Sequence, residues 1–203
     1  MPSTEPSTTD AVRPRRADAQ RNERALLEAA AAVFVESGVD APVREIAGRA
    51  GVGMGTIYRH FPTRADLVVA VYRHQVEACA DAAPALLRTR PTPYDALVAW
   101  ADLFVDFLVT KHGLAAALQD DRSGFEALHA YFLDRLVPAC ASLLAAATES
   151  GEVRLEVGAQ GLLRGIGNLC ASGASDASYD ARVMVHLLLA GLRVPPRPAP
   201  GTR

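Results

Sequence analysis

Between Met54 and His60 the chain reads Met-Gly-Thr-Ile-Tyr-Arg-His. A helix over these residues would present Met54, Gly55, Thr56, Tyr58, Arg59 and His60 outward, a set rich in groups able to donate to phosphate oxygens. Its amino end would add free N–H groups and the positive end of the helix dipole. Such a helix is too short to hold itself together in water, so packing must hold it. Ile46, Ala47, Val52, Ile57 and Phe61 are spaced to pin it, with a second short helix before it, against a longer one. The turn Ala50-Gly51-Val52 takes glycine where two helices cross closely. This is helix-turn-helix geometry, which serves DNA binding or ordinary packing, and spacing alone leaves both open.

Two other groupings could carry chemistry. Glu126 and His129 have the Glu-x-x-His spacing of helical di-metal sites, but the motif occurs once and Glu126 is also placed to cap its own helix. No metal and no cofactor is expected. A helical metalloenzyme built on Glu126 and His129 is the alternative from a different class. The aromatics Trp100, Phe104 and Phe107 recur at helical spacing, as do Phe125, Tyr131 and Phe132, and core packing is their default role. Asp102, Asp106 and His129 are the polar neighbours, placed to face solvent or cap an adjacent helix. Cys79, Cys140 and Cys170 are widely spaced in apolar sequence and read as buried free thiols. Gly165 and Gly167 fall within a helical pattern where no nucleotide fingerprint can form.

The elements that must position these residues are helical throughout, because apolar residues recur at three and four residue spacings. The first helix is expected from about Asp18 to Ser37-Gly38, burying Leu27, Ala30, Ala31 and Phe34. A short helix follows Pro42, and the one from Met54 must stop at Phe61, ahead of Pro62. Thr63 and Asp66 form a capping box that opens a long helix to about Leu87. Further boxes at Thr92 to Asp95 and Ser123 to Glu126 open helices expected to end at Lys111-His112-Gly113 and near Gly151. Two more helices are expected over 157–170 and 179–192. Gly158, Gly161, Gly165 and Gly167 would allow close helix approach, in the core or at a subunit interface. The last helix carries Val183, Met184, Val185, Leu187, Leu188, Leu189 and Leu192, too apolar all round to pack on one side only.

Composition agrees with a folded chain, at 50% hydrophobic and 22% charged residues. The longest uncharged stretch, Leu136 to Thr148, falls short of a membrane span, and no secretory signal opens the chain. A cytoplasmic protein without a membrane role is expected. The net charge of −2 hides an asymmetry, since residues 11–64 hold nine arginines against six acids while the rest is acidic. That distribution hints at a polyanion for the N-terminal part.

The run from Val43 to Asp66, with Ile46-Ala47, Ala50-Gly51-Val52, Gly55-Thr56, Tyr58-Arg59-His60-Phe61 and Arg64 in register, resembles the DNA-binding domain of TetR-type transcriptional regulators. The resemblance covers about Asp18 to Tyr72. It implies an all-α protein of about nine helices, a three-helix head followed by a divergent helical bundle. It further implies a disordered arm over 1–17, a DNA-binding domain over 18–65 with its motif at about 42–61, an effector-binding and dimerisation domain over 66–193, and a disordered tail over 194–203. Arg44, Thr56, Tyr58 and His60, with Arg59 and Arg64, become candidates for DNA contact, mostly through phosphate. Ala41-Pro42 and Gly53 depart from the family, which often has a hydroxyl opening the second and third helices. Trp100, Phe104, Phe107, Phe125, Tyr131 and Phe132 become candidates for an effector pocket, with Trp100 and Tyr131 favoured because a ligand could partner their N–H and O–H. The implied partners are a palindromic duplex operator, a small apolar or aromatic effector, and a second copy joined near Gly161, Gly165, Leu188 and Leu192. A repressor follows from the same likeness, and a DNA-binding dimer without effector is the remaining alternative.

Overall fold

The computed structural model describes residues 12–117, 122–154, 156–172 and 179–194, with side chains over 21–108, 126–154, 156–171 and 179–194. Eight helices are present among them: α1 (Val12–Ser37), α2 (Val43–Ala50), α3 (Met54–His60), α4 (Arg64–Thr89), α5 (Pro93–Ala117), α6 (Arg122–Glu149), α7 (Ala159–Ser172) and α8 (Ala181–Gly191). The fold is all-α, with eight helices among the described residues against the nine or so expected. The chain divides into two compact units, one ending at His74 and one beginning at Gln75, and α4 runs through the boundary.

In the first unit α1 begins at Val12, ahead of the expected Asp18. Pro14 does not prevent this, because in the first helical turn its missing N–H has no intrahelical partner to lose. Leu26, Leu27, Ala30, Val33 and Phe34 form the buried stripe of α1, and Ile46, Ala47, Ile57 and Phe61 join it from α2 and α3. Val52 is only half-buried. Gly51 sits at φ 66, and a Cβ placed there would meet nothing within 4 Å. The turn therefore requires glycine for its left-handed backbone and not, as the spacing suggested, for close helix approach. Thr63 and Asp66 cap α4 reciprocally, with the Thr63 N–H donating 2.9 Å to Asp66 Oδ2 and the Asp66 N–H donating 3.1 Å to Thr63 Oγ1.

In the second unit the core is a set of facing stripes. Leu97, Trp100, Ala101, Phe104, Val105 and Leu108 line α5, while Leu128, Phe132, Leu136, Cys140, Leu143 and Ala147 line α6. Leu162, Ile166, Val185 and Leu189 complete it from α7 and α8. Helix α5 continues past Lys111-His112-Gly113 to Ala117. One glycine costs a helix only about 1 kcal/mol, and the Leu-Ala-Ala-Ala that follows is strongly helix-forming. The stretch Glu126–Glu149 of α6 is long and apolar enough, by length and composition, to cross a membrane, contrary to the expected absence of such a segment. Its two central charges, Asp134 and Arg135, had hidden it, and its apolar residues at three and four residue spacing are those of a bundle helix with one face in the core.

The end of the described chain is tied down. Val153 and Arg193 form an isolated antiparallel bridge, and the Val194 N–H donates 2.9 Å to the Glu152 carbonyl. Val194, expected in a disordered tail, is thus paired, while residues 195–203 lie outside the described set. The Asp180 carboxylate caps α8 by accepting from the N–H groups of Arg182 and Val183, at 2.9 and 3.1 Å.

Candidate nucleic-acid interface and helical body

Helix α3 buries one side chain, Ile57, and turns the rest outward. Met54 and Tyr58 are 52% and 51% exposed, an unusual display for a thioether and a phenol. Arg44, Gly55, Arg59 and His60 are exposed and Thr56 is half-buried. Among the described residues Arg44 and Arg59 form no ion pair, so both guanidinium groups present their charge to solvent. The N-caps of α2 and α3 are Pro42 and Gly53, and neither makes a side-chain capping bond. The N–H groups of Glu45 and Thr56 instead donate to the carbonyls of Pro42 and Gly53, each at 2.9 Å, which leaves the first two amides of each helix without a side-chain cap.

Two arginines of the head point elsewhere. Arg49 pairs with Glu36 at 2.5 Å, and that hydrogen bond holds the Glu36 carboxyl below its ordinary range. Arg64 turns into the head, donating from Nη2 to the carbonyls of Val39 and Ala41. On α4 the His74 imidazole is held below its ordinary pKa by burial, with Glu28 opposing and Arg24 reinforcing the shift.

In the body, Phe104 centres an aromatic cluster, with ring centroids 5.6 Å from Trp100, 6.1 Å from Phe107 and 5.9 Å from Phe132. Phe107 and Phe132 close it at 5.8 Å, and His129 stacks on Phe132 at 5.7 Å. The Phe125 side chain lies outside the described residues. The polar groups of Trp100 and Tyr131 already have protein partners. The Trp100 indole donates 2.8 Å to the Cys79 carbonyl, and the Tyr131 hydroxyl donates to Glu77. A ligand is thus not needed to satisfy either group.

Glu77 also receives Arg135 Nε at 2.9 and 3.0 Å, and the Arg135 hydrogen bond, with that from Tyr131, keeps its carboxyl low against the cost of burial. Spacing carried a signal for this tie, since Glu77 and Asp81 on α4 and Tyr131 and Arg135 on α6 are each i, i+4 pairs. Asp102 and Asp106 instead receive Arg182 of α8, with Asp102 at 2.6 Å and also 2.9 Å from His186 Nε2. Burial pushes the Cys79 and Cys140 thiols up to about 12, so both stay protonated. Among the described residues no group of three His, Cys, Asp or Glu side chains could hold a metal ion.

The candidates on α7 and α8 are divided by the packing. Gly165 faces Leu188 of α8, whose Cδ2 lies 3.6 Å from a Cβ position there, and Leu188 and Leu192 are half-buried. Among the described residues Gly161 meets only Val157 of its own segment, and a Cβ at Gly158 or Gly167 would meet nothing within 4 Å, so neither of these two is a close-approach glycine there. Val183 and Leu187, by contrast, are 52% and 61% exposed.

Comparison with known proteins follows the same division. The profile of the bacterial regulatory proteins of the tetR family matches residues 26–71, and that of the SbtR-like transcriptional regulator C-terminal domain matches residues 92–194. The structure is similar to the TetR transcriptional regulator SCO0520 from Streptomyces coelicolor, with a TM-score of 0.74 and 34% identity over 84% of this chain and 98% of that one. It is also similar to a TetR transcription regulatory protein from Mycobacterium vanbaalenii, with a TM-score of 0.66 and 36% identity over 89% of this chain and 100% of that one. Among curated proteins, the HTH-type transcriptional activator FasR of Mycolicibacterium smegmatis is 37% identical over 84 residues, which is 41% of this chain. That match spans only 38% of FasR's own length. The chain belongs to the TetR family of DNA-binding transcriptional regulators.

Proposed function

We propose that this protein is a homodimeric, ligand-responsive repressor, active in the cytoplasm, whose two heads bind a palindromic duplex operator. The observation that carries the DNA-binding part is the solvent face of α3, where Met54 and Tyr58 are half-exposed beside the charged Arg59. Arg44, Thr56, Tyr58, Arg59 and His60 then supply contacts mostly to phosphate, and Met54 and Gly55 lie against the duplex. The head is assigned residues 18–65, and the body 66–193 takes the effector and the second subunit.

Support for a second subunit comes from α8, whose apolar side chains Val183, Met184 and Leu187 are left exposed. Gly161, Gly165, Leu188 and Leu192 are assigned to the same interface. Support for an apolar or aromatic effector comes from the cluster of Trp100, Phe104, Phe107 and Phe132, with Tyr131 and Phe125 nearby in sequence. An effector parting these rings would strain the bonds from Trp100 and Tyr131 to α4, the helix that begins at the head. Linkage then requires that operator DNA weaken effector binding by the same factor.

The deciding experiment is selection of genomic fragments bound by the purified protein. An inverted repeat with half-sites about 34–36 Å apart, or a multiple of that, is expected. Binding that ignores both sequence and salt would refute the reading. Deleting the gene should raise transcription beside the selected site, and a fall would make the protein an activator.

A further inference from the structure

We propose that Arg64 is a positioning residue that sets the attitude of the helix-turn-helix by bracing the α1–α2 turn, and that it does not hold phosphate. The inference builds on the DNA-binding reading above and changes the task of one of its residues.

Arg64 is the first residue of α4. Its Nη2 donates to two carbonyls of the turn that joins α1 to α2, those of Val39 and Ala41, the second at 2.7 Å. Its Cζ stands 6.0 Å from the centroid of Phe34, a buried ring near the end of α1. One side chain therefore touches the end of α1, the turn, and the start of α4. Neither carbonyl takes part in a helical ladder: Val39 and Ala41 lie after Ser37 and before Val43. Ala41 is itself buried, at 3% exposure, so its carbonyl needs a donor from the protein. The planar guanidinium bonds both oxygens from one nitrogen while its face lies over the ring, a geometry that a compact ammonium does not reproduce in full.

The turn matters because α2 has no side-chain cap, and its own start signals are only Pro42 and the acidic Glu45 of its first turn. Pro42 is its N-cap, without a side-chain bond, and the helix is eight residues long. Fixing the carbonyl of Ala41 fixes the entry to Pro42, and with it the direction of α2 and of α3 beyond the Gly51 turn. To grip a phosphate, Arg64 would have to surrender two charge-assisted bonds. Arg44 and Arg59 surrender no ion pair among the described residues.

The test measures two quantities on full-length protein and its Arg64→Ala, Arg64→Lys and Arg59→Ala variants. One is the slope of log affinity against log salt for a 40-base-pair duplex pool of random sequence. The other is hydrogen exchange at the amides of 41–50. Arg59→Ala should lower the slope by about 0.9 per subunit and leave exchange unchanged. Both Arg64 variants should keep the wild-type slope while exchange over 41–50 speeds up by roughly tenfold or more, the loss expected for charged hydrogen bonds. If Arg64→Ala is too unstable to purify, Arg64→Gln, which also removes the charge, carries both readouts in its place. A lowered slope in either Arg64 variant overturns the proposal, as does unchanged exchange in both. Should the wild-type protein bind the duplex pool without salt dependence, the DNA-binding reading fails, and the exchange measurement still decides whether Arg64 braces the turn.

Discussion

The indole nitrogen of Trp100 lies 2.8 Å from the carbonyl oxygen of Cys79, joining α5 to α4 in the middle of both helices. Trp100 is fully buried, so the bond is shielded from water and the ring fills core volume as well. The two contributions are separable. Trp100→Phe removes the donor and keeps a ring, and should cost about 1 kcal/mol. Trp100→Ala opens a cavity and should cost about 3–5 kcal/mol. Urea unfolding of the pair measures the difference. Equal losses would show that the hydrogen bond, and not the volume, dominates.

Glu152 adds a cap to α5 that local sequence did not show. The Thr92 hydroxyl does accept from the Asp95 N–H at 3.1 Å, but the Tyr94 N–H donates 3.2 Å to Glu152, which also receives Ser150 at 2.9 Å. Burial pushes the Glu152 carboxyl up, and bonds from Thr92, Tyr94 and Ser150 with the nearby Arg193 bring it below its ordinary range. A lowered carboxyl stabilises the fold above its unfolded pKa of about 4.3, and that stabilisation is lost as pH falls below it. Glu152→Ala should cost about 1 kcal/mol at neutral pH. Glu152→Gln should flatten the acid limb of the stability profile, and an unaltered limb would rule out this role.

Leu187 is the most exposed large apolar side chain on α8, whereas Leu188 is half-buried against Gly165. Leu187→Arg should therefore separate the proposed dimer without disturbing the monomer fold. Sedimentation at micromolar concentration should show the monomer, with helical circular dichroism unchanged. A Leu187→Arg protein that remains dimeric would move the interface off this face.

His74 gives the first compact unit a sensitivity to mild acid. Its folded pKa is depressed by burial, so the neutral imidazole is favoured in the folded state. Stability is fully present above the unfolded pKa of about 6.5 and declines as pH falls through the window below it. The carboxylates Glu36, Asp66, Glu77 and Glu152, all lowered, act further down the pH scale, so the two effects are distinct. His74→Gln should remove the decline in denaturant midpoints that sets in as pH falls below about 6.5. A His74→Gln protein with the wild-type decline would place the sensitivity elsewhere.

Sequence by itself determined what depends on neighbours in the chain. The Thr63–Asp66 box, the stop at Phe61 before Pro62, the apolar spacing of Leu27, Ala30 and Phe34, and the outward face of α3 all follow from interactions within a turn or two of helix. The family motif lies within that local stretch, so the head was legible. Tertiary structure decided what each long polar side chain does. Arg64 and Arg59 are both arginines beside the same motif, yet one bonds carbonyls 23 and 25 residues away and the other stays in solvent. Glu152 capping a helix 58 residues away, and Arg182 reaching Asp102 across 80, have the same character. An extended side chain with several donors or acceptors has many partners within reach, and the choice among them depends on which groups the packed helices bring close and leave unsatisfied. That information exists only once the helices have docked. The α8 face is the mixed case: its excess of apolar residues was visible in sequence, and packing singled out Val183 and Leu187 as the ones left uncovered.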